Sequence, residues 1–114
     1  MAEGLRTIDP LTLKTWLQKG EAVLIDVREQ DEYKDEHIKS STLVPLSTFD
    51  PSQIDSSQLS GPTKKKLVFH CAGGKRSEKA ALKWLNSHPN EEAYNLIGGI
   101  HGWKDAGFTT EKNS

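Results

Sequence analysis

The chemistry of this sequence concentrates in six consecutive residues, Cys71-Ala72-Gly73-Gly74-Lys75-Arg76. A thiol stands first, then three small residues, then two cations. Glycine lacks a Cβ, so the small residues can take dihedrals that turn successive backbone N–H groups inward. A helix beginning after them adds its free amides and the positive end of its dipole. A free cysteine titrates near 8.5, and a helix N-terminus or nearby cations can lower that by several units. The segment therefore suits a thiolate nucleophile, Cys71, facing an anionic substrate held by Ala72, Gly73, Gly74, Lys75, Arg76 and Ser77. A lone cysteine is commonly just a small buried hydrophobe, but such a residue needs neither two glycines nor two cations beside it.

Positioning that loop requires a strand before it and a helix after it. Leu67 to His70 is the strand. Ser77 to about Ser87 is the helix, with Ala80, Ala81, Trp84 and Leu85 on one face, closed by Asn86 to Asn90 with Pro89. Further strands are expected at Leu5 to Ile8, Ala22 to Val27, Thr42 to Leu46 and Ala93 to Ile97. Asp9-Pro10 opens a helix that Gly20 ends, Asp31 to Glu36 is a short charged helix, and a helical turn falls near Trp103. Residues 47–63 are rich in Ser, Pro, Asp and Gln and form a long loop with one helical turn near Pro51 to Gln58. Strands alternating with helices imply an α/β fold, a parallel sheet covered on both faces, with ligands outside the carboxyl ends of its strands. Residues 5–108 form one domain, and 109–114 a polar, frayed C-terminal tail.

Composition narrows the function. Among 114 residues, 15 Lys and Arg against 16 Asp and Glu leave a net charge of -1. That balance argues against a nucleic-acid or membrane-surface binder. The longest apolar run is Ala22 to Ile25, far short of the roughly 18 residues that a membrane span needs. The N-terminus has no basic, apolar leader, and a sole cysteine forms no internal disulfide, so a reducing cytoplasm is the simplest compartment. His37, His70, His88 and His101 show no metal-ligand spacing with Cys71, and no metal or cofactor is expected. Asp26 and Arg28 are expected to form a structural ion pair with neighbours or with Glu32. His37 packs a loop, His70 points away from Cys71 by strand alternation, and Trp103 belongs to the core.

Taken together, three blocks of the sequence resemble the rhodanese-like sulfurtransferase family. Cys71 to Arg76, followed by Ser77, matches the family's loop of Cys, three variable or glycine positions, a further residue and Arg, then Ser or Thr. Ile25-Asp26-Val27-Arg28-Glu29 with Glu32-Tyr33 and His37-Ile38 resembles its first block. Leu96-Ile97-Gly98-Gly99 with Trp103 and Gly107 resembles its last. Ser40-Ser41 stands where many members carry Gly-Ala, and Ala72 where many carry Arg. The resemblance implies a mainly parallel five-stranded sheet with helices on both faces. It also implies a sulfurtransferase that moves a sulfane sulfur from a small anionic donor, thiosulfate or a persulfide, onto Cys71. The acceptor would be cyanide or a thiol, including a thiol on another protein. Two other readings stand beside it. A non-catalytic regulatory or binding module of the family would usually lack the cysteine. A Cys-dependent phosphatase would need five residues between Cys and Arg, and this chain has four.

Overall fold

The computed structural model describes residues 4–62 and 64–112. Its apolar runs form the strands β1 (Leu5–Ile8), β2 (Ala22–Asp26), β3 (Ser41–Leu43), β4 (Lys66–His70) and β5 (Ala93–Leu96). They make one sheet in the order β1-β5-β4-β2-β3, and every pairing is parallel. Parallel strands need crossovers. Three of these are the helices α1 (Pro10–Gln18), α2 (Gln30–Asp35) and α3 (Lys75–Ser87), and α4 (Gly99–Asp105) follows the last strand. Asp9 starts α1 by accepting a hydrogen bond from the Thr12 amide, with Pro10 in the first turn.

Alternation along β4 divides the core into two layers. Leu67, Phe69 and Cys71 face the layer built with Ala80, Ala81, Trp84 and Leu85 of α3. Val68 faces the opposite layer, with Leu13 of α1 and Ile100 and Trp103 of α4. The central strand thus delivers Cys71 to the carboxyl edge of the sheet, on the α3 side.

Three features differ from the sequence expectation. Strand β3 stops at Leu43 instead of continuing to Leu46; Val44 and Leu46 still donate to the Asp26 and Val27 carbonyls at 2.9 and 3.0 Å, but the chain then turns and Leu46–Thr48 forms a 3-10 helix. The long loop carries two more such turns, Pro51–Gln53 and Ser56–Leu59. Two of its aspartates start them: Asp50 accepts from the Ser52 amide and Asp55 from the Ser57 amide. Nor are residues 109–111 frayed. His37 and Glu111 exchange backbone hydrogen bonds of 2.8 Å each way, the Thr110 hydroxyl donates to Glu36, and Trp103 Nε1 donates to the Thr109 carbonyl. Asn113 and Ser114 lie outside the described residues.

Ser40 has a φ of +75°, a left-handed conformation that costs a residue with a Cβ about 1–2 kcal/mol. It occupies the position where the resembled family often has glycine. Ser40→Gly is therefore expected to raise stability by about 0.5–1 kcal/mol, part of the relief being returned as unfolded-state entropy, and thermal unfolding followed by circular dichroism measures the gain.

Candidate active site

Cys71 follows β4 directly and is 1% exposed. The loop after it is shorter than the sequence suggested. Gly74, at φ +117°, is the N-cap of α3, so the helix begins at Lys75 and not at Ser77. A left-handed cap there lets the chain turn into the helix within three residues of the thiol, which glycine permits without strain. The Gly74 amide then donates to Cys71 Sγ at 3.0 Å. Ser77, fully buried in the first turn of α3, has its hydroxyl 3.4 Å from the same sulfur.

The far side of the loop is held by α4. Ile100 N–H donates to the Cys71 carbonyl at 2.8 Å, and His101 N–H to the Ala72 carbonyl at 3.3 Å. The two carbonyls are thereby tied to α4, while the Gly74 amide is committed to the sulfur. This close approach depends on Gly99, at φ +56°: a Cβ there would overlap the Cys71 carbonyl oxygen and lie 2.6 Å from that of Ala72.

The two cations behave differently from one another. Lys75 is exposed. Arg76 forms a two-pronged pair with Glu32 of α2, at 2.8 and 3.0 Å. Hydrogen bonding from Arg76 is the main reason that the Glu32 carboxyl is pulled down to about 2. The pair ties α2 to the start of α3 and partly neutralises the loop's positive charge. Asp26 and Arg28 do form an ion pair, but with each other and not with Glu32. Arg28 Nη2 lies 2.7 Å from Asp26 Oδ2 and also donates to the Glu36 carbonyl at 2.7 Å, and both residues are buried. His70, beside Asp26 in the sheet, is fully buried, and burial lowers its basicity. Its ring contacts the Cys71 carbonyl through Nδ1 at 3.3 Å, not the sulfur, as strand alternation requires. His37 stacks on Tyr33, and Trp103 is in the core.

Burial pushes the Cys71 thiol up, but hydrogen bonds from the Ser77 hydroxyl and from the amides of Ser77, Gly74 and Gly73 together outweigh it and leave the thiol below its ordinary value. Alkylation by iodoacetamide as a function of pH should therefore show a midpoint below the roughly 8.5 of a free cysteine. A midpoint at or above that value would contradict the arrangement of donors.

Sequence reasoning missed one residue that the site uses. Asn95 on β5 hydrogen-bonds to both Ser77 and the Gly74 carbonyl, at 2.6 and 3.1 Å. The signal was present in the sequence: a lone amide between Tyr94 and Leu96 in an otherwise apolar strand must find partners if it is buried. Among the described residues, no three His, Cys, Asp or Glu side chains gather as a metal site would require, and no helix is long and apolar enough to cross a membrane.

Known proteins share this arrangement of sheet and helices. A crystal structure of thiosulfate sulfurtransferase from Pseudomonas aeruginosa superposes with a TM-score of 0.79 at 27% identity, over 96% of this chain and 21% of that one. A protein of Synechocystis sp., itself named only as uncharacterized, is 38% identical over 93% of this chain and 56% of its own length. The tRNA uridine(34) hydroxylase of Erwinia tasmaniensis is 35% identical over 74% of this chain. The chain thus spans about half of the first of these curated relatives and only 24% of the second. The family model for the rhodanese-like domain matches residues 9–106. That span takes in strands β2 to β5, all four helices and the Cys71 loop, and the chain belongs to the rhodanese-like domain family.

Proposed function

We propose that this protein is a sulfurtransferase that carries a sulfane sulfur on Cys71. The observation that carries the reading is the sulfur itself, at the base of a short loop, accepting the Gly74 amide at 3.0 Å and next to the Ser77 hydroxyl. Such donors, already in place around the sulfur, stabilise the thiolate that attacks the sulfur donor.

With thiosulfate as donor, the Cys71 thiolate attacks the outer sulfur. The Sγ–S bond forms, the bond to the sulfonate sulfur breaks, and sulfite leaves with that electron pair. The persulfide keeps one negative charge. An acceptor then attacks its outer sulfur, and Cys71 leaves as the thiolate. With cyanide as acceptor, the product is thiocyanate. Splitting the transfer at a covalent intermediate replaces one hard step by two easier ones. Cys71 is the sole cysteine of the chain, so the acceptor comes from outside: cyanide, a small thiol or a thiol on another protein. A cytoplasmic setting, where thiols stay reduced, suits this cycle.

Four residues separate Cys71 from Arg76, and the Arg76 guanidinium is engaged with Glu32. Both features fit a loop that closes on one sulfur atom better than one that wraps a tetrahedral phosphate. The test is a pair of turnover assays on the wild-type protein, thiosulfate with cyanide and an aryl phosphate. Thiocyanate production with negligible phosphate release is expected. The reverse pattern would replace the sulfurtransferase by a phosphatase, and silence in both would favour a binding module.

A further inference from the structure

Asn95 lies on β5, one strand over from the strand that delivers Cys71, and is 8% exposed. Its Nδ2 donates to the Gly74 carbonyl at 3.1 Å, and its Oδ1 sits 2.6 Å from Ser77 Oγ. That hydroxyl also lies 3.0 Å from the Gly74 carbonyl and 3.4 Å from Cys71 Sγ. A serine hydroxyl has one proton to donate. The Gly74 carbonyl is already served by the Asn95 amide and by the Glu78 N–H at 3.2 Å. Two acceptors therefore remain in competition for a single proton, Asn95 Oδ1 and Cys71 Sγ.

While the sulfur is protonated, the shorter contact prevails: Ser77 donates to Asn95, and the thiol can donate to Ser77 Oγ. When the sulfur ionises, its charge draws the hydroxyl proton across. Asn95 Oδ1 is then left buried without that donor, which costs free energy. We propose that Asn95 is a positioning residue that competes with Cys71 for the Ser77 proton and so sets how readily the sulfur ionises. The catalytic meaning of this rests on the sulfurtransferase reading. A thiolate that is stabilised too far loses nucleophilicity, and the competition from Asn95 limits that stabilisation.

The experiment is the pH profile of Cys71 alkylation by iodoacetamide in four proteins: wild type, Asn95→Leu, Ser77→Ala and the double variant. Removing the competitor frees the Ser77 proton for the sulfur, so Asn95→Leu should lower the midpoint by about one unit, as one hydrogen bond to a charged acceptor allows. Ser77→Ala should raise it, and Asn95→Leu added to Ser77→Ala should leave it where Ser77→Ala put it. The other charged and titratable groups around the loop are Lys75 and Arg76 of α3, Glu32 of α2, Asp26 and Arg28 after β2, His70 of β4 and His101 of α4. They are the same in all four proteins and cancel in the comparison. Asn95→Ala, with Ser77→Ala in the same cycle, replaces Asn95→Leu if circular dichroism shows the leucine variant to be unfolded.

An unchanged or raised midpoint in the Asn95 variant, or an equal drop in the Ser77→Ala background, would overturn the assignment. The readout is independent of turnover. If thiosulfate leaves no sulfur on Cys71 while the four midpoints keep this order, the sulfurtransferase reading falls and the role of Asn95 stands. If sulfur is taken up but the midpoints do not move, the reverse holds.

Discussion

Cys71→Ser will fold normally and lose sulfur transfer by on the order of 10⁴-fold or more, the scale seen when a covalent nucleophile is removed. A serine oxygen can accept the same Gly74 amide that Cys71 Sγ accepts at 3.0 Å, so the loop keeps its shape. What it cannot do is ionise near neutral pH or hold a sulfur that a second nucleophile can remove. The residue is 1% exposed and packs in the α3 layer of the core, so a smaller and more polar atom should cost only about 1 kcal/mol of stability. Thiocyanate production and the circular dichroism melt, measured on the same preparation, separate the two effects. Retained turnover in a folded variant would remove Cys71 from the mechanism.

The second large effect is expected from a residue that never touches a substrate. Gly99→Ala places a Cβ onto the Cys71 carbonyl oxygen and 2.6 Å from the Ala72 carbonyl oxygen, at a φ of +56°. Backbone cannot yield as a flexible side chain can. Either α4 or the Cys71 loop must move, and the 2.8 Å bond from Ile100 N–H to the Cys71 carbonyl is lost or lengthened. Left-handed strain and overpacking together should lower stability by about 2–4 kcal/mol. Displacing the donors around the sulfur should lower turnover by about 10²-fold and raise the midpoint for alkylation. Gly73→Ala is the control for stability. Gly73 has φ outside the left-handed region, and a Cβ there meets nothing within 4 Å, so its melt should stay close to wild type.

Much of this site could be seen in the sequence because its main parts are local. Strand β4, the thiol, the two glycines and the helix that follows occupy one continuous stretch, Lys66 to Ser87, and each has a composition that names its structure. The strands are legible for a similar reason. In a parallel sheet covered on both faces they are short runs of apolar residues, and the apolar run of β2 is matched by the strand from Ala22 to Asp26. Boundaries were harder. Helix α3 starts two residues early because a left-handed Gly74 serves as its cap, and β3 ends early as the chain turns into the 3-10 helix at Leu46–Thr48.

The long-range partners were the part that sequence order hides. Glu32 and Arg76 are 44 residues apart, and Ser77 and Asn95 are 18 apart. Which carboxylate meets which cation depends on the strand order β1-β5-β4-β2-β3, not on spacing. The same holds for the segment after residue 108. Its polar composition suggested fraying, yet the His37–Glu111 bridge anchors it beside α2.

The central claim is that Cys71 takes up a single sulfur atom. Its most direct test is the intact mass of the protein after incubation with thiosulfate, before and after addition of cyanide, with peptide mapping. One added sulfur of about 32 Da, located on Cys71 and removed by cyanide, is the result that covalent transfer through this residue requires. An unchanged mass, or an added sulfur that cyanide does not release, would contradict it.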